Sequence, residues 1–191
     1  MIQKKNSKIL ILAALGLVLA LCFPALSVNK PPTSPQVLTQ QGQALYKMGK
    51  LDQAIDIWQQ AANAYETQGD IQGRRASLLN SATAQQKLGL YNQSCSTIFQ
   101  AFDFETANCL EFIEQSGTWE SQLQTKILSD NEFQEAVNKA LEPLVQQPSS
   151  STKAIALLRL GDVLRAKKLL TVATRILNLS RATSQKINDP N

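Results

Sequence analysis

The chain contains no histidine among its 191 residues. That absence removes Ser–His and Cys–His nucleophilic catalysis and the commonest zinc-binding side chain. Its eight glycines are scattered and build no Gly-rich phosphate loop. No stretch alternates apolar and polar residues with the period of two that marks a strand, so no sheet is expected. Aromatics make up only 6% of the chain, and Trp58 and Trp119 fall at helical spacing and read as core. The nearest approaches to carboxylate pairs, Asp103 with Glu105 and Glu111 with Glu114, read as solvated helix faces. No cofactor, metal site or catalytic residue is expected.

The charge excess is also small once its origin is located. The chain carries 19 basic and 15 acidic residues. Residues 1–27 hold three of the lysines and no acid, which leaves 16 basic against 15 acidic residues in the remainder. The basic balance is therefore a feature of the N-terminus, and no nucleic-acid partner is expected. The remaining charge is segregated: residues 95–145 carry nine acids and two bases, and residues 146–191 carry eight bases and two acids. An acidic middle that meets a basic end, within one chain or between chains, is the sharper reading; solvated helix faces are the plainer one.

Lys4, Lys5 and Lys8 precede an uncharged apolar run over residues 9–23, followed by Pro24-Ala25-Leu26-Ser27. Ala25 and Ser27 supply the small residues of a cleavage site before Val28, the layout of a secretory signal. The uncharged stretch continues to Val28, about the 20 residues that span a bilayer, so a retained anchor over residues 9–28 is the alternative. Leu21 is too bulky for the residue before a lipidated Cys22. The expected location is exported, in a periplasm, lumen or extracellular space, with membrane contact only through this segment. Cys95 and Cys109 would then meet an oxidising compartment. Both outcomes stay open for them: a disulfide, or two buried thiols.

The remainder reads as helical. Residues 28–36 form a Pro-rich spacer, since three prolines in 29–35 block regular pairing. Residues 37–104 contain one helix–turn–helix unit and its copy forty residues later. Leu38 matches Leu78, Lys47 matches Lys87, Gly49 matches Gly89, Leu51 matches Tyr91, Trp58 matches Ile98 and Ala61 matches Ala101. Leu38, Gln41, Leu45 and Met48 read as the inward face of the first helix, and Gly49 as the left-handed residue that ends it. Residues 148–191 hold a third copy, in which Gly161 lies 119 residues after Gly42. Residues 105–147 match poorly and read as a degenerate repeat or a helical insertion. A unit repeated at a fixed period implies a solenoid, whose units bury apolar faces against neighbours.

These residues resemble the tetratricopeptide repeat. Its small eighth residue corresponds to Gly42 and Ala82, and its small residues at twenty and twenty-seven to Ala54/Ser94 and Ala61/Ala101. The chain departs from the repeat in having Leu38 and Leu78 where tryptophan is usual, in lacking the closing proline, and in a period longer than about 34 residues. The resemblance implies an all-α, right-handed α–α superhelix that binds a protein or peptide. Gln-Gly-x-Ala-Leu-Tyr (41–46), the two cysteines and Leu-Arg-Leu-Gly-Asp-Val-Leu-Arg (158–165) resemble, more narrowly, the front of secreted bacterial proteins that join such repeats to a caspase-like CHAT domain. The His-Cys chemistry of that domain has no counterpart in a chain without histidine. A detached regulatory region of such a peptidase and a self-assembling envelope protein are therefore the secondary readings.

By repeat position, the resemblance places Gln43, Tyr46 and Lys47, then Leu79, Asn80, Thr83, Gln86 and Lys87, on a concave groove. Lys47 and Lys87 are equivalent and should point the same way, which suits an extended peptide with carboxylates. Asn80 fits one role in the C-terminal-carboxylate clamp of a known subfamily. Thr39 and Gln43 replace its other two residues, so that specificity is not expected. The export reading makes a direct prediction: N-terminal sequencing of the native protein begins near Val28. An intact Met1 on membrane-extracted protein indicates the anchor, and an intact Met1 on soluble cytoplasmic protein rules export out.

Overall fold

The computed structural model describes residues 34–104 and 108–188, and all regular elements among them are helices. The signal or anchor segment and most of the Pro-rich spacer lie outside the described residues. The elements are α1 (Pro35–Lys47), α2 (Leu51–Thr67), α3 (Ile71–Lys87), α4 (Tyr91–Ala101), α5 (Asn108–Gln124), α6 (Asp130–Ala140), α7 (Glu142–Val145), α8 (Ser151–Ala166) and α9 (Leu170–Asn188). Among the described residues no helix is long and apolar enough to cross a membrane.

Local chemistry sets the helix ends. Ser34 Oγ accepts the Val37 N–H and Pro35 takes the first turn of α1, where its missing N–H costs nothing. The helix thus begins inside the segment expected to be spacer. Asp70 caps α3 and Ser150 caps α8 in the same way. Gly49 and Gly89 stand at the corners after α1 and α3 with φ of 75° and 76°. Lys168 occupies the equivalent corner after α8 with φ of 63°, a conformation that costs a residue with a Cβ about 1–2 kcal/mol.

Packing follows the small-and-large division of the sequence. Gly42, Ala54, Ala61, Ala82, Ser94, Ala101 and Gly161 are all buried. A Cβ on Gly42 would lie 2.6 Å from the indole nitrogen of Trp58, and one on Gly161 would lie 2.5 Å from Cδ2 of Leu177. In both hairpins a bulky side chain of the second helix fills the notch left by the small residue of the first. In the first hairpin that close approach lets Trp58 Nε1 donate to the Thr39 carbonyl at 3.2 Å. Two residues assigned inward by periodicity, Gln41 and Met48, are exposed. Gln41 sits on the outer side of α1 and Met48 in the turn just past its last residue, and no later element among the described residues covers either.

Consecutive helices α1 to α4 pack as neighbours, and α8 packs against both α3 and α4 as well as α9. The segment α5–α7 therefore does not separate the second hairpin from the third. Instead α5 packs across α4 and α9. A run of aromatic contacts joins it to the main core: Phe99 to Phe112 at 5.7 Å, Phe112 to Trp119 at 6.1 Å, and Trp119 to Phe133 at 5.8 Å between ring centroids. Cys95 of α4 and Cys109 of α5 are buried and joined in a disulfide, their Cα atoms 5.9 Å apart. At the far end, Lys153 Nζ donates to the Val145 and Gln147 carbonyls at 2.6 and 2.8 Å. Burial, reinforced by the nearby Lys186 charge, holds that ammonium below its usual pKa.

Glu120 is the most constrained polar contact of α5. Its buried carboxylate accepts from the Thr171 and Val172 N–H groups at 3.0 and 2.9 Å and from the Thr171 hydroxyl at 2.7 Å. These are free N–H groups of the first turn of α9, so an acid from one part of the chain caps a helix in another. Burial acts to raise the Glu120 pKa, but the hydrogen bonds from Val172, Thr171 and Gln124 together outweigh it and hold the group below the usual carboxylate value. Arg175 of α9 pairs with Asp130 and stacks over the Phe133 ring, 5.3 Å from its centroid. One ion pair between the acidic middle and the basic end thus forms within the chain.

Ala61→Leu, at a fully buried crossing, is expected to cost about 1–3 kcal/mol by overpacking and to lower the melting temperature well beyond Gln59→Leu on an exposed face; equal shifts would refute the register. Glu120→Gln is expected to cost about 1–2 kcal/mol at neutral pH, the scale of a lost cap or charge-assisted hydrogen bond. Because the folded pKa of Glu120 is depressed, its contribution is present above the unfolded value of about 4.3 and is lost as pH falls through the folded value. The gap between Glu120→Gln and wild type in denaturant titrations should therefore narrow on acidification; a constant gap would exclude the cap.

Candidate functional site

Four of the eight groove residues expected from repeat position, Tyr46, Thr83, Gln86 and Lys87, line one cleft of about 530 Å³. The other walls come from Tyr91 and from Arg159, Asp162, Arg165 and Ala166 of the third hairpin. Helices α1, α3 and α8 contribute because they are the first members of three neighbouring hairpins. Gln43 and Lys47 are exposed on α1 and Asn80 is half-buried on α3, but none of the three lines the cleft. Leu79, also expected on the groove, is buried in the core. It sits on the side of α3 against which α8 packs, so it is removed from solvent.

Each polar group of the cleft has a definable state. Lys87 Nζ lies 4.4 Å from the centroid of the Tyr46 ring, a cation–π contact between the first two hairpins. Thr83 Oγ1 donates back to the Leu79 carbonyl at 2.8 Å and so leaves only acceptor capacity toward the cleft. Gln86 Nε2 donates to the Arg159 carbonyl at 2.8 Å, tying α3 to α8. Asp162 accepts from Arg159 at 3.4 Å and from Arg165 at 2.9 Å. Arg159 Nε is buried without a hydrogen-bond partner.

Three cations, Lys87, Arg159 and Arg165, thus line the cleft with one carboxylate, Asp162, and two tyrosines. The arrangement carries excess positive charge and planar, forked donors that match carboxylate or other planar anionic groups. It holds no nucleophile–base pair. Among the described residues no cluster of three or more His, Cys, Asp or Glu side chains could hold a metal.

The third-hairpin half of the cleft was missed by repeat-position reasoning applied to two copies alone. The signal was present: the 119-residue offset that carries Gly42 to Gly161 also carries Gln43, Tyr46 and Lys47 to Asp162, Arg165 and Ala166. What stood in the way was the segment 105–147, which makes the third copy look remote in sequence from the second. No family model matches the chain, no curated protein matches its sequence, and no solved structure matches its fold.

Proposed function

We propose that the chain is a non-enzymatic, exported tetratricopeptide-type scaffold, a right-handed α–α superhelix, that binds an extended acidic peptide segment in the cleft formed by α1, α3 and α8. The observation that carries the reading is the lining itself: Lys87, Arg159 and Arg165 share one cleft with Tyr46, Tyr91 and a single carboxylate, Asp162. An incoming carboxylate competes with Asp162 for the arginine forks. The tyrosine faces accept the apolar parts of neighbouring peptide residues. The absence of histidine and the absence of a nucleophile–base pair in this lining favour binding over chemistry. Export is supported by the N-terminal charge-and-hydropathy pattern and by the Cys95–Cys109 disulfide, which suits an oxidising compartment.

The test is fluorescence anisotropy with a labelled, Asp/Glu-rich extended peptide. Exposed ion pairs contribute about 0.2–1 kcal/mol each, so Lys87→Ala and Arg165→Ala should each weaken binding by about 1.4- to 5-fold, and the double variant by more. Lys47→Ala, outside the lining, should have a smaller effect than Lys87→Ala. Affinity should fall as salt rises, because screening acts on exposed charges. Lys126→Ala with Lys139→Ala removes as much charge elsewhere. Equal weakening by that control pair would show that only net charge matters and would overturn the cleft assignment.

A further inference from the structure

The three corners that join the first and second helices of each hairpin share an unusual composition. The first corner holds Lys47, Met48 and Lys50, the second Lys87, Leu88 and Leu90, and the third Arg165, Lys167, Lys168 and Leu170. That gives six basic side chains. It also places four large apolar side chains in solvent: Met48 at 61% exposure, Leu88 at 38%, Leu90 at 37% and Leu170 at 58%. The only acid within these turns and the first residues beyond them is Asp52.

The fold gathers these corners on one edge. Helices α1 and α3 are neighbours, as are α3 and α8. Within the first two hairpins each helix reverses direction through a tight glycine corner, so α1 and α3 run parallel. The contact of Lys87 Nζ with the Tyr46 ring at 4.4 Å brings the ends of α1 and α3 together. The shared cleft then brings Lys87 and Tyr91 to Arg165 and Ala166 at the end of α8. The turn between α2 and α3, at the other end of these helices, also exposes an apolar side chain, Ile71, but its charge has the opposite sign. It presents Glu66 and Asp70, with Asp103 close by, and the nearby Arg74 is already engaged by Glu66 at 3.5 Å and Asp103 at 2.9 Å.

We propose that the basic, apolar-tipped corner edge is a docking surface for an anionic membrane. Short corners carrying lysines beside protruding Met and Leu side chains match the two components of interfacial binding: apolar side chains enter the headgroup–acyl boundary while the cations pair with anionic lipid headgroups. A protein partner that merely matched charge would leave four separated apolar tips on three turns unexplained. A bilayer meets all three turns at once because it is flat. Contact of this kind would hold the edge against the bilayer surface independently of any N-terminal anchor. It would also leave the α2–α3 turn, with Glu66 and Asp70, facing away.

The test uses the full chain with a single tryptophan reporter on each edge, Leu88→Trp on the corner edge or Ile71→Trp on the opposite one, against the constant background of the buried Trp58 and Trp119. Vesicles contain brominated lipid in phosphatidylcholine alone or in a phosphatidylcholine–phosphatidylglycerol mixture. Both variants keep the N-terminal apolar run, so any membrane contact it makes is common to them. The expected result is quenching of Leu88→Trp several-fold stronger than that of Ile71→Trp in the anionic vesicles. The excess should be lost in phosphatidylcholine alone, at high salt, and in the triple variant Lys50→Gln, Lys167→Gln, Lys168→Asn. Equal quenching of the two reporters overturns the proposal, as does an excess that survives the triple variant. A lipid-free dimer formed through this edge, with no quenching, also overturns it and assigns the edge to a second copy. None of the three substituted lysines lines the cleft, so peptide anisotropy measured on the triple variant separates failure of this proposal from failure of the peptide-binding reading.

Discussion

Close approach of paired helices at three small residues is the constraint on which the structure depends. Gly42 receives the indole of Trp58, and Gly161 receives Leu177, at separations that leave no room for a Cβ. Ala82 and Ile98 stand at the same two places in the second hairpin, both buried. These notches set how the second helix of each hairpin lies on the first, and therefore which faces remain for the next hairpin. Volume added in the notch would push the helices apart and misalign the layers beyond it.

On that base the segment 108–147 is held by unlike interactions at separate points. A disulfide fixes its beginning, a train of aromatic rings its middle, a buried carboxylate on the end of α9 its second contact, and the Lys153 ammonium its exit. Two of the four are charge-assisted hydrogen bonds to backbone groups at or near helix ends. The charge segregation seen in the sequence is therefore partly consumed inside the molecule: Glu120 and Asp130 of the acidic block both face α9 of the basic one. The basic groups left over fall mainly on the corner edge and in the cleft, and these two places carry the binding proposals.

The cleft shows how far repeat logic reaches. Tyr46, Thr83, Gln86 and Lys87 were legible because two clear copies forty residues apart place equivalent positions on equivalent faces. Lys47 and Lys87 are equivalent by that logic yet unequal in the structure, since Lys87 has the Tyr46 ring beneath it and a third hairpin on its far side, while Lys47 is exposed outside the lining. Leu79 and Leu158 hold the same repeat position. Leu79 is buried because α8 packs on α3, whereas Leu158, on α8 itself, remains exposed.

Sequence by itself determined the helical class, the corners and the pairing of small with bulky residues, because each rests on short-range chemistry: glycine at positive φ, proline and serine at helix starts, and side-chain volume at fixed spacing. It left open whether Cys95 and Cys109 pair and where residues 105–147 belong. Tertiary structure alone decided that α8 packs directly on α3 and α4, that Glu120 caps a helix fifty residues away, and that Arg159, Asp162 and Arg165 complete a cleft begun by α1 and α3. The physical reason is that these contacts join segments far apart in the chain. No local propensity encodes them, and the burial that stabilises them appears only when the neighbouring element is already in place.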